Sequence, residues 1–153
     1  MKKTLRIYLD TSVFGGCFDV EFELASKRLF SYIQKGKYIV VISDVVNGEL
    51  VDAPDEVRNL AKTIERFTEK VEITPAAVAL QREYIRAGIV TKRSLNDALH
   101  VAIATTSGVD AIVSWNFKHI VKLDKIAGYN NINVQNGYQK LTIISPQEVS
   151  HEE

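Results

Sequence analysis

Short apolar runs alternate along the chain with longer stretches of helical spacing. Leu5 to Leu9 is short, largely apolar and bounded by Asp10-Thr11-Ser12, the pattern of a buried strand ending in a polar turn. From Glu21 to Lys35 the apolar residues Phe22, Ala25, Leu29, Phe30 and Ile33 recur at helical spacing, and Gly36 is a natural stop. Tyr38 to Ile42 predicts the next strand. Ser43 and Asp44 then cap a short helix carrying Val45, Val46, Glu49 and Leu50, which Pro54 closes off. Pro54 also suits the first turn of a helix running to about Phe67, with Val57, Leu60, Ala61, Ile64 and Phe67 on one face.

In the second half, Val71 to Ile73 reads as a brief strand. Thr74-Pro75 is N-cap and first residue of a helix reaching Arg86 and ending at Ala87-Gly88. Ser94 is expected to cap a helix from Leu95 to about Thr106, mostly buried by its Ala, Leu, Val and Ile content, with Gly108 as its end. Ala111 to Ser114 predicts another buried strand, Phe117 to Leu123 a helical turn, and Leu141 to Ser145 a last strand before Pro146. Asn130 to Gly137, rich in Asn and Gly, reads as a loop, and Gly15-Gly16 as a turn. No repeat, low-complexity tract or linker interrupts the chain, so one domain over 1–153 is expected. Strands alternating with helices predict an α/β fold with a mostly parallel sheet, and ligands of such folds gather outside the carboxyl ends of the strands.

That rule selects a few polar residues. Asp10 follows the first strand, Glu49 lies on the short helix after the second, Asp97 sits in the first turn of the buried helix, and Trp115-Asn116 follows the strand Ala111 to Ser114. Carboxylates brought together repel one another unless a cation sits among them, and oxygen-only ligands select hard divalent ions such as magnesium or manganese. Metal-assisted attack on a phosphodiester is the chemistry this set implies. Each residue also has a plainer reading: Asp10 as a turn or capping residue, Asp97 as a helix-dipole partner, Glu49 as a solvated carboxylate, Asn116 as a turn residue. Their joint placement, and the buried runs beside Glu49 and Asp97, favour a site.

These residues carry a resemblance. Leu9-Asp10-Thr11-Ser12-Val13-Phe14, Glu49-Leu50, the run Asn96 to Ala104 and the run Val113 to Ile120 together resemble the PIN-domain family, in order and over nearly the whole chain. That family includes the VapC-like toxins of bacterial and archaeal toxin–antitoxin pairs. The resemblance implies a three-layer α/β/α fold around a central parallel sheet, and a ribonuclease dependent on Mg2+ or Mn2+. Asp10, Glu49 and Asp97 match the family's three acidic positions: Asp10 and Asp97 are expected to hold the metal directly, Glu49 to complete its shell or orient a metal-bound water, and Asn116 to position water or a phosphate oxygen through its amide. Asn116 falls where many members have a fourth Asp, and it lowers the negative charge by one. The resemblance also implies products with 5′-phosphate and 3′-hydroxyl ends, a small antitoxin partner and a homodimer. For the homodimer, the apolar helices Glu21 to Lys35 and Pro54 to Phe67 offer outer faces that could pair.

Thr11 and Ser114 hydroxyls are expected to hydrogen-bond the ligating carboxylates. RNA is expected to follow basic residues flanking the site: Lys92 and Arg93 before the Asp97 helix, and Lys118, His119, Lys122 and Lys125 after Asn116. His100 shares the helical face of Asp97 but reads as a packed, hydrogen-bonded histidine. Trp115 reads as cover for a core edge before it reads as a base-stacking ring.

Composition adjusts this picture in two ways. The 153 residues carry 19 basic and 19 acidic side chains, a formal net charge of zero, so RNA binding must rest on a local basic rim. The single cysteine, Cys17, excludes an internal disulfide and a cysteine zinc site, and fits a reducing cytoplasm. Arg6 and Asp10 interrupt the first apolar stretch too soon for a signal peptide, and no window is long enough for a membrane span.

Two other readings stay open. A non-catalytic module of the same fold could use the acidic pocket to bind a basic partner peptide, with Asn116 as its motivating feature. Another divalent-metal enzyme acting on phosphate esters is the third. Its haloacid-dehalogenase version is weakened because Asp10-Thr11-Ser12 lacks a second Asp two residues on, and a receiver domain would need a paired acidic cluster and a later lysine.

Overall fold

The computed structural model describes residues 3–149. Five strands form one sheet: β1 (Leu5–Leu9), β2 (Tyr38–Ser43), β3 (Thr68–Val71), β4 (Ala111–Val113) and β5 (Thr142–Ile144), in the order β3-β2-β1-β4-β5. Every pairing is parallel. Eight α-helices connect or follow them among the described residues: α1 (Thr11–Gly16), α2 (Glu23–Gln34), α3 (Asp44–Val51), α4 (Asp55–Thr63), α5 (Pro75–Arg86), α6 (Leu95–Thr106), α7 (Leu123–Gln135) and α8 (Pro146–Val149).

The strand order explains the layers. From β1 the chain steps outward to β2 and β3, then returns across the sheet to β4 and β5. Crossovers are right-handed, so the reversal moves the connecting helices to the opposite face. The packing agrees: α1 lies against α2, α3 and α4, whereas α5 lies against α6 and α7. Between them sits a core that includes Tyr8, Leu9, Val40, Val41, Ile112 and Val113, all fully buried. The switch of direction falls between β1 and β4, where the crevice of a doubly wound sheet opens.

Several boundaries depart from the sequence expectation. The third strand is Thr68–Val71 instead of Val71 to Ile73. It is an edge strand of alternating charge, with Glu69 bonded to Arg6, and so lacks the apolar run that marks a buried strand. The helix after Pro54 stops at Thr63 and tightens to a 3-10 turn over Glu65–Phe67. Its outward positions, Asp55, Glu56, Asn59 and Lys62, are polar, so α4 has no apolar outer face to pair. Asn130 to Gly137 is no loop: α7 runs to Gln135. Two of its asparagines serve as anchors: buried Asn133 bonds Tyr84 and Thr105, and half-buried Asn130 bonds both backbone groups of Leu141. Thr91, instead of Ser94, supplies the side-chain cap before α6.

Gly15 and Gly16 belong to α1 and form no turn. Gly16 is there for closeness: a Cβ would meet Ser26 Oγ at 2.5 Å and Trp115 Nε1 at 2.6 Å. Gly16→Ala is therefore expected to break the Trp115–Ser26 hydrogen bond and cost about 2 kcal/mol by urea denaturation.

Candidate active site

Asp10 leaves the end of β1 as the N-cap residue of α1, and only 4% of it is exposed. Its side chain makes no cap bond. Instead its two oxygens accept from hydroxyls on either side, Ser12 Oγ at 2.6 Å and Ser114 Oγ at 2.6 Å. Both serines are themselves anchored, because Ser12 Oγ accepts from the Trp115 N–H and Ser114 Oγ from the Asn116 N–H. The ends of β1 and β4 are thus laced together through the Asp10 carboxylate. Burial pushes its pKa up, and the nearby Asp97 adds to the rise, while His100 and the two serines oppose it.

Asp97, in the first turn of α6, accepts from Asn116 Nδ2 at 3.0 Å. The amide oxygen of Asn116 faces away, accepting from the Lys118 and His119 N–H groups. Those two backbone donors fix which end of the amide is which. An aspartate here would set a third negative group beside Asp97; asparagine holds Asp97 by a hydrogen bond instead.

Glu49, on α3, is directed by different partners. Its Oε1 accepts from Thr11 Oγ1 at 2.5 Å and lies 3.4 Å from His100 Nε2. These contacts, His100 first, hold its pKa below the usual glutamate value despite partial burial. The other ring nitrogen of His100 is 2.7 Å from Tyr8 Oη, which is 2.7 Å from Ser43 Oγ. Ser43, Tyr8, His100 and Glu49 form one continuous polar chain from the end of β2 to the site. His100 is thus packed and hydrogen-bonded as expected, and it also braces Glu49.

Thr11 bonds Glu49 and Ser114 bonds Asp10, so both expected hydroxyls touch carboxylates of the set. Ser12, Tyr8 and Ser43 were not legible as site residues. In sequence Ser12 is one residue of a polar turn, and Tyr8 and Ser43 have the spacing of core strand and helix cap. Lys92 and Arg93 stand exposed on the 3-10 turn leading into α6; in the turn after Asn116, Lys118 is exposed and His119 half-buried, and none of the four has an ion pair among the described residues. Lys125 is drawn elsewhere, donating to the Ile89 carbonyl at 2.7 Å. Burial raises the Cys17 thiol to about 11, which removes it as a nucleophile.

The donor set can be tested against a divalent cation. Among the described residues no three carboxylate, imidazole or thiol groups gather closely enough to form a metal cage. Glu49 is held aside by Thr11 and His100. Asp10 and Asp97 remain as an all-oxygen pair, and the raised pKa of Asp10 is the electrostatic situation a cation relieves. Magnesium is commonly bound by one or two carboxylates with water completing its shell, so the pair fits such an ion without a cage.

The chain has no match among protein-family models or among curated proteins. Among solved structures it is similar to a chain of VapBC2 from Rickettsia felis, crystallised bound to a DNA fragment from their promoter, at TM-score 0.58 over 92% of this chain and 98% of that one. The fold is PIN-like. Sequence identity is 12%, so the likeness speaks for the fold and not for the chemistry. No helix among the described residues is long and apolar enough to cross a membrane.

Proposed function

We propose that this chain is a divalent-metal-dependent endoribonuclease, the toxin component of a type II toxin–antitoxin pair. The observation that carries the reading is the placement of buried Asp10 and half-buried Asp97 at the switch point of the sheet, joined through Ser114 and Asn116. The similarity to VapBC2 supports the toxin part, through the VapC-like toxins of the PIN-domain family.

In this reading Asp10 and Asp97 hold Mg2+ or Mn2+. The metal, when bound, supplies Lewis acidity and neutralises charge on the phosphate. Ser12 and Ser114 fix the Asp10 carboxylate; the Asn116 amide fixes Asp97. Glu49, kept ionised by His100 and Thr11, uses its Oε2 to orient an attacking water. Lys92, Arg93, Lys118 and His119 contact RNA phosphates at the rim. The protein works in the cytoplasm as a homodimer, with a small antitoxin as its inhibitor.

Incubating the purified protein and Asp97→Asn with structured RNA, with and without Mn2+, tests the catalytic claim. Cleavage by the wild type that needs Mn2+ and falls at least a hundredfold in the variant is expected; equal activity in both would overturn it. A neighbouring short reading frame for an acidic or DNA-binding protein is expected on the toxin reading, and its absence would leave only the nuclease.

A second reading has one observation in its favour. With Asn116 in place of a carboxylate and no three-membered acidic group among the described residues, the site also suits a non-catalytic module that binds a basic peptide. Metal-independent peptide binding without any RNA cleavage would select it.

A further inference from the structure

A groove of about 430 Å³ is lined by Phe22, Leu24, Arg28, Trp115 and Phe117 among others, the last two being the residues on either side of Asn116 in the chain. Trp115 itself is not a free stacking surface. It is 8% exposed, Phe22 lies parallel to it at 4.3 Å, and its Nε1 donates to buried Ser26 Oγ at 2.7 Å. Phe117 differs: it meets Trp115 only edge-on, at 5.9 Å, and is 47% exposed. A rigid aromatic bed thus presents one open ring, one residue along the chain from Asn116.

The groove's charge is as telling as its rings. Arg28 is exposed and has no ion pair or hydrogen bond among the described residues, so its guanidinium is unspent. Glu21 stands on the same groove, an acceptor suited to an exocyclic amine and repulsive to a second phosphate. An apolar helix of a partner protein would not use that cation, and the volume is that of a small ligand. A nucleobase with its phosphate uses the open ring and the cation together.

We propose that this groove is a subsite for one unpaired nucleobase of single-stranded RNA, stacked on Phe117, with Arg28 on the adjoining phosphate. It rests on the ribonuclease reading and names the substrate's conformation: a base within a duplex cannot reach Phe117, so the enzyme acts at loops or single strands.

Trp115 is the chain's one tryptophan, which makes it a reporter for the ring above it. In an Asp97→Asn background, which keeps RNA intact, a single-stranded octaribonucleotide is titrated while anisotropy and tryptophan emission are followed. Phe117→Ala should weaken binding about tenfold and abolish the emission change, and Phe117→Tyr should restore both. The same strand in a duplex should bind no better than single strand binds Phe117→Ala. Arg28→Ala should lower the slope of log affinity against log salt by about 1. Because Phe117 is half exposed, the alanine variant should melt with its parent. Equal affinity in parent and Phe117→Ala, or no RNA binding by the parent, overturns the subsite. Wild-type cleavage of RNA decides separately whether the ribonuclease reading falls with it.

Discussion

Asp10→Asn should abolish RNA cleavage while leaving the protein as stable as before, or more stable by about 1 kcal/mol at neutral pH. The loss of activity should be roughly a thousandfold or more, since about 4 kcal/mol of transition-state stabilisation goes with a metal ligand. Stability behaves oppositely because Asp10 is buried beside Asp97 and its carboxylate is pushed up by desolvation. A folded pKa above the ordinary 3.8 means that its contribution is full below about that pH and is lost as pH rises through the folded value. Asparagine has no charge to desolvate. It can still accept from one of Ser12 and Ser114, at the cost of weakening the bond to the other. Urea denaturation from pH 4 to pH 8 should show wild type losing stability relative to Asp10→Asn across that range. Glu49 has the opposite sign, its contribution present above its ordinary 4.5 and lost as pH falls. Added Mn2+ should reverse the ranking, because it binds only the native wild type.

Trp115→Ala should cost about 3–5 kcal/mol, a large share of the 5–15 kcal/mol that holds a typical domain together. Truncation removes a ring that is stacked on Phe22, leaves a void under Phe117, and strands the Ser26 hydroxyl, which is fully buried. Trp115→Phe should recover most of this and lose only the Nε1–Ser26 bond, about 1–2 kcal/mol. Thermal melting should fall by about 10 °C for the alanine variant. The backbone N–H that holds Ser12 survives both substitutions, so Asp10 keeps its partner. Cleavage measured well below the melting transition should therefore remain within about tenfold of wild type. The two variants separate roles: Asp10 is held at a cost to stability, and Trp115 supplies stability to the segment that holds it.

Much of the fold was legible because the parallel strands are short apolar runs with polar residues at their carboxyl ends. β1, β2 and β4 are such runs, and α6 carries the apolar content that buries it against α5. What was not legible had other causes. The edge strand β3 is charged because its outer side faces water and Glu69 pairs with Arg6. The asparagines of α7 resemble a loop until their partners on α5, α6 and before β5 are known. At the candidate site, strand-end placement picked out Asp10, Asp97 and Asn116, but not Ser12 or the Ser43–Tyr8–His100 chain behind Glu49. Those bonds join residues distant in sequence, and nothing in local pattern marks them.

Direct binding of Mn2+ to the RNA-free protein, followed by the loss of the free-ion electron paramagnetic signal, decides whether the Asp10–Asp97 pair is a metal site. Wild type should deplete the free ion saturably. Asp10→Asn and Asp97→Asn should each weaken that binding at least tenfold, and Glu49→Gln should change it less, since Thr11 and His100 hold Glu49 aside. Equal Mn2+ affinity in wild type and both aspartate variants would contradict the account.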